Sequence, residues 1–91
     1  MTVVSRRAVV TGRVQGVGFR FFAERAARET GVAGWVRNRE DGSVETFAEG
    51  EEQAVRAYLE KLRVGPRVSR VAALQEEEAG PAGHTTFEIT R

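Results

Sequence analysis

Between Arg6 and Val14 the chain reads RRAVVTGRV, a β-branched run flanked by arginines, and Gln15-Gly16-Val17-Gly18 then breaks it with two glycines. The run predicts a strand and the glycines a turn. From Arg20 to Thr30 the period changes. Phe22, Ala23, Ala26, Ala27 and Thr30 recur at i, i+1, i+4, i+5 and i+8, while Glu24 with Arg28 and Arg25 with Glu29 pair at i, i+4. That is the pattern of an amphipathic helix, and Gly31 supplies its stop.

Two short runs, 34–39 and 42–49, flank Glu40-Asp41-Gly42, and an Asp-Gly step between β-like runs predicts a hairpin. In the second run Val44, Thr46 and Ala48 share one face and Glu45, Phe47 and Glu49 the other. One side of this strand is expected to be buried and the other mostly wet, with Phe47 an outward aromatic. After Gly50, the acids Glu51 and Glu52 suit the start of a helix dipole, and Val55, Leu59 and Leu62 keep helical spacing until Gly65-Pro66 ends it. Two further extended runs, 69–76 and 85–90, lie on either side of the loop Ala79-Gly80-Pro81-Ala82-Gly83.

The element order is therefore β-α-β-β-α-β with a short extra strand. It predicts an α+β, ferredoxin-like split β-α-β fold, a two-layer sandwich with an antiparallel sheet and two helices on one face. In that topology the first two strands run the same way with the third between them. Their C-terminal ends then share one edge of the sheet about 10 Å apart.

Length and charge narrow what such a fold can do. The 91 residues suit one core, hence a single domain over 1–91, and any site on so small a domain is shallow. The absence of cysteine removes disulfides, thiolate metal sites and cysteine nucleophiles. With 14 Lys and Arg against 13 Asp and Glu, the net charge of +1 provides no global field for nucleic acid or a membrane surface, so an anion site must be local. No apolar run approaches the length of a membrane span or signal core. A cytoplasmic monomer with no nucleic-acid or membrane partner is expected.

The local anion site is sought where the first strand ends. Gln15, Gly16, Val17, Gly18 and Phe19 lead through Arg20 into a helix, a setting that exposes successive backbone N–H groups and the positive end of a helix dipole. Arg20 adds a planar fork able to grip two oxygens at once. By spacing alone the segment is equally described as an ordinary strand-to-helix turn with a surface arginine, since it is neither a Walker nor a dinucleotide pattern. At the end of the second strand stands Asn38, the only asparagine, between Arg37 and Arg39. Its amide can orient water, or it can be a turn residue, and Arg13, Arg37 and Arg39 can be solvated edge charges.

Two stretches add a further indication. VTGRVQGVGFR at residues 10–20 and GWVRNREDGSVETFAEG at residues 34–50 closely resemble the two signature stretches of acylphosphatases. Gly12, Val14, Gln15, Gly16, Val17, Phe19 and Arg20 match the first, and Gly34, Trp35, Asn38, Gly42, Val44 and Gly50 the second. Residues 65–91 match only in general pattern. The resemblance implies a hydrolase that cleaves the carboxyl–phosphate anhydride of acyl phosphates to carboxylate and inorganic phosphate; the anion cradle with Arg20 and the lack of a ligand cluster in the sequence lead to the expectation of no metal and no cofactor. The resemblance also implies that the 15–20 loop, with Arg20, binds the phosphoryl group and that Asn38 positions the attacking water. A small-molecule acyl phosphate is then the substrate, and phosphate or sulfate should compete with it. Acylphosphatase-like domains also occur at the N-terminus of large hydrogenase-maturation proteins.

Other candidates weigh less. His84, the sole histidine, has no companion ligand in its loop, and Glu76-Glu77-Glu78 reads as a solvated strand end. Phe21, Phe22 and Tyr58 are expected to pack within the helices. RNA-recognition modules share the element order, and residues 16–22 superficially resemble their aromatic signature. That signature belongs on a central strand, whereas here it runs from a turn into a helix.

Overall fold

The computed structural model describes residues 2–91. The chain forms β1 (Val3–Arg13), α1 (Phe19–Thr30), β2 (Ala33–Asn38), β3 (Val44–Glu51), α2 (Glu52–Val64), β4 (Arg70–Glu78) and β5 (Phe87–Ile89). Every element falls on a run that the hydrophobic pattern predicts. The strands take the order β4-β1-β3-β2-β5. β1 lies antiparallel to β3 and β4, and β2 antiparallel to β3.

β5 departs from the expected antiparallel sheet, because it pairs with β2 in parallel. The loop before it explains the direction. β4 ends beside the start of β1, where the Ala79 N–H donates to the Ser5 carbonyl at 3.0 Å. The chain then crosses β3 over Glu49 and reaches the start of β2, where the Gly34 N–H donates to the Thr86 carbonyl at 2.9 Å. Entering the edge from that end leaves β5 no direction but that of β2.

Alternation along the strands builds the core on one face. Ala8 and Val10 of β1, Val36 of β2 and Val44 and Ala48 of β3 are buried beneath Phe19, Ala23, Ala26 and Ala27 of α1 and Val55, Tyr58, Leu59 and Leu62 of α2. Tyr58 is fully buried, and burial drives its phenol pKa upward. Thr46 Oγ1 donates to the Trp35 carbonyl at 2.8 Å, so its lone pair accepts the Tyr58 hydroxyl at 2.7 Å and the phenol stays satisfied.

The opposite face of β3 is not wet. Glu45, Phe47 and Glu49 are only 2%, 8% and 7% exposed, so the expectation of an outward Phe47 between solvated acids is corrected. Glu45 receives Arg37 at 2.6 Å and also the Arg7 guanidinium, which reaches on to Glu77. Burial pushes the Glu45 carboxyl up, but these two arginines outweigh it and hold it below the ordinary carboxylate value. Phe47 lies nearly parallel to Trp35, 6.2 Å between ring centroids, with the His84 ring 5.3 Å away on a tilt. Glu49 accepts from Ser5 Oγ at 2.8 Å and from the backbone N–H groups of Ala82 and His84 at 2.9 Å each. The 79–86 segment is thereby strapped across the sheet.

Candidate active site

The turn after β1 is shaped from inside. Val14 and Phe19 are buried and Val17 packs partly against the core, which pins the loop at three points. Between them Gly16 and Gly18 hold φ of +74° and +77° and are exposed. A Cβ at either would meet no atom within 4 Å, so it is the left-handed backbone, not crowding, that calls for glycine.

Gly18 is also the N-cap of α1, and that helix start is unusual in what it lacks. No side chain caps it and no acid stands in its first turn, whereas α2 carries Glu52 in its own. The first helical bond is donated by the Phe22 N–H to the Gly18 carbonyl at 3.0 Å. The N–H groups of Phe19, Arg20 and Phe21 thus have no intrahelical acceptor. Arg20 sits half-buried in the same turn. Together these donors and the dipole form a region suited to a tetrahedral oxyanion.

Asn38 ends β2 directly across from Val44, which on its other side faces Val10 of β1. Opposed residues of antiparallel strands share a face, so Asn38 lies on the helix-bearing side with Val36 and Val44. This is the side on which the 15–18 loop turns into α1. The neighbouring arginine is on the other face, where Arg37 meets Glu45. A tight turn follows, closed by the Arg39 N–H to the Ser43 carbonyl at 2.9 Å and the Gly42 N–H to the Arg39 carbonyl at 3.2 Å.

A direct bond joins the two segments. Gln15 Nε2 donates to the Arg39 carbonyl at 2.7 Å and to the Ser43 carbonyl at 2.9 Å. Both donors of its carboxamide are therefore engaged with the β2–β3 turn, and its backbone N–H is the donor it has left for an anion in the loop. Likewise Val17 and Phe19 point their side chains into the core and offer the site their backbone. The sequence marks Gln15 as part of the loop, but a carboxamide that reaches 24 and 28 residues ahead leaves no local pattern by which to find it.

The remaining candidates are dispersed. Arg13 is exposed, and Arg39 stands 4.0 Å from Asp41. His84 donates its N–H to Glu49 and packs its ring on Phe47. Glu76, Glu77 and Glu78 line the exposed edge strand β4 and pair with Arg63, Arg7 and Arg6 respectively. Phe22 packs 6.0 Å from Phe19, but Phe21 is 66% exposed, contrary to its expected packing. Its position on α1 is turned away from the stripe formed by Phe19, Ala23 and Ala26. Among the described residues no three His, Cys, Asp or Glu side chains gather as a ligand set, and no helix is long and apolar enough to cross a membrane.

A profile of the acylphosphatase family matches residues 6–89. The chain belongs to the acylphosphatase family. It is accordingly an enzyme that hydrolyses acyl phosphates. The acylphosphatase of Koribacter versatilis is 54% identical over 85% of this chain and 70% of its own length. The crystal structure of the acylphosphatase from Bacillus subtilis superposes with a TM-score of 0.94 at 41% identity, covering 99% of this chain and all of that one. Full-length HypF contains a region with a TM-score of 0.89 and 26% identity, which covers 99% of this chain but 12% of HypF. The acylphosphatase fold therefore occurs both as a chain of this size and as one part of a much larger one.

Proposed function

We propose that this chain hydrolyses acyl phosphates without a metal, in a single domain, by holding the phosphoryl group in the 15–20 loop and directing water from Asn38. The backbone N–H groups of the loop and of the first turn of α1 bind phosphoryl oxygens, and the Arg20 fork grips two of them. Asn38 holds a water in line with the bond to be broken. The water oxygen bonds to phosphorus, the bond from phosphorus to the acyl oxygen breaks, and the carboxylate departs with the electron pair. The water proton ends on inorganic phosphate. Because a carboxylate is a weak base, it leaves without a general acid, and positioning with charge stabilisation suffices.

The observation that carries this reading is the pair of hydrogen bonds from Gln15 to Arg39 and Ser43, which sets the loop bearing Arg20 against the strand end bearing Asn38. The uncapped, acid-free start of α1 supports it independently. Steady-state hydrolysis of benzoyl phosphate provides the test. Turnover is expected to persist in EDTA, with phosphate and sulfate as competitive inhibitors. Loss of activity in EDTA that Mg²⁺ or Zn²⁺ restores would refute the metal-free mechanism, and noncompetitive inhibition would place the anion elsewhere.

A further inference from the structure

The two carbonyl groups that Gln15 engages do not need it. The Arg39 carbonyl already accepts the Gly42 N–H, and the Ser43 carbonyl already accepts the Arg39 N–H. The turn after β2 is closed by its own backbone, so the carboxamide adds a second bond to each acceptor. Both donors of one side chain are committed to the same turn, and they cross from the loop after β1 to the residue following Asn38. No ladder bond of β1, β2 or β3 does this, because β1 and β2 are separated by β3.

The consequence is geometric. Loop and helix start form one unit, since Val17, Phe19 and the first turn of α1 are fixed by the core. Phosphate held by that unit is held locally. The offset between that phosphate and a water on Asn38 is a different quantity, and among these contacts it is the Gln15 amide that spans it. Phosphoryl transfer needs the attacking oxygen in line with the leaving oxygen, and a misplacement of about 1 Å can cost about 10²-fold in rate.

We infer that Gln15 is a positioning residue for the hydrolysis: its carboxamide sets the anion loop at a fixed offset from Asn38, and its side chain does not bind the phosphate. The inference rests on the site proposed above. It separates Gln15 from Arg20 in kinetic role, although both belong to the same loop.

A double-mutant cycle over Gln15 and Asn38 tests it with benzoyl phosphate as substrate and inorganic phosphate as inhibitor. Gln15→Met keeps the length of the side chain and removes both donors. The expected result is a kcat lower by about 10- to 100-fold, with the phosphate inhibition constant within about twofold of wild type. The double variant Gln15→Met with Asn38→Ala should be no slower than Asn38→Ala alone by more than about twofold, because an offset matters only while Asn38 holds the water. Gln15→Leu, uncharged and without amide donors, should show the same division, and thermal melting confirms that each variant is folded. A phosphate constant that worsens in step with kcat would make Gln15 a ligand and overturn the inference. So would an unchanged kcat, or effects that multiply in the double variant. If Asn38→Ala alone keeps normal kcat, it is the reading of Asn38 that fails, and the inference with it.

Discussion

In the proposed mechanism Arg20 and the two left-handed glycines contribute to anion binding in different ways. The guanidinium supplies charge and a planar fork, so Arg20→Lys keeps the first and loses the second. We expect this variant to lose about 2–4 kcal/mol of transition-state stabilisation, read from kcat/KM, and also to bind phosphate more weakly. A lysine that restored both would show that charge alone is required. Gly18 supplies shape. Since open space surrounds its absent side chain, Gly18→Ala should cost about 1–2 kcal/mol of stability purely through the backbone, with a lower melting temperature and a raised KM. If melting and KM are both unchanged, the left-handed turn is not needed. At this scale the candidacy of Arg20 and Asn38 is visible in the sequence because their motif spacing is unbroken. What Gln15 does is not, because its partners are brought to it only by the folded sheet.

Elements are where the reading of strand faces succeeds and then stops. Alternation in β3 correctly assigns Val44, Thr46 and Ala48 to the core, yet the same alternation predicts that Glu45 and Glu49 are wet. Each carboxylate is instead covered by other parts of the chain: Arg37, its partner across the hairpin, and the distant Arg7 for Glu45, and Ser5 with the 79–86 loop for Glu49. No periodicity encodes such long-range cover. For Glu49 it has a consequence in pH. The Ser5 hydroxyl and then the Ala82 N–H hold the carboxyl below its ordinary value of 4.5, more strongly than burial raises it. The folded state therefore binds fewer protons than the unfolded chain. Its stabilisation is complete above 4.5 and is withdrawn as pH falls through the lowered folded value. We expect the Ala82 and His84 amide resonances to shift together on acidification below 4.5, ahead of global unfolding, and Glu49→Gln to abolish that shift. Amide resonances of the loop that follow global unfolding alone would show that Glu49 is not its clasp.

The whole molecule owes its site to topology. β1 and β2 run in the same direction on either side of β3, so the segments following both meet at one edge. This much follows from element order alone. The covering of the second face of β3 does not, and it also sets this chain apart from an RNA-recognition module: Phe47 is buried under His84 and beside a half-buried Trp35. On the proposed mechanism an acylphosphatase of this architecture presents its anion donors at a single end. Titration of the ¹⁵N-labelled protein with inorganic phosphate, followed through its backbone amide resonances, tests that claim most directly. Saturable shifts are expected to concentrate in residues 15–20 and to extend to the Arg20 side-chain N–H and the Asn38 amide. Shifts centred instead on the hollow lined by Arg6, Glu52 and Arg56 at the opposite end of β1, or spread evenly over the surface arginines, would contradict it.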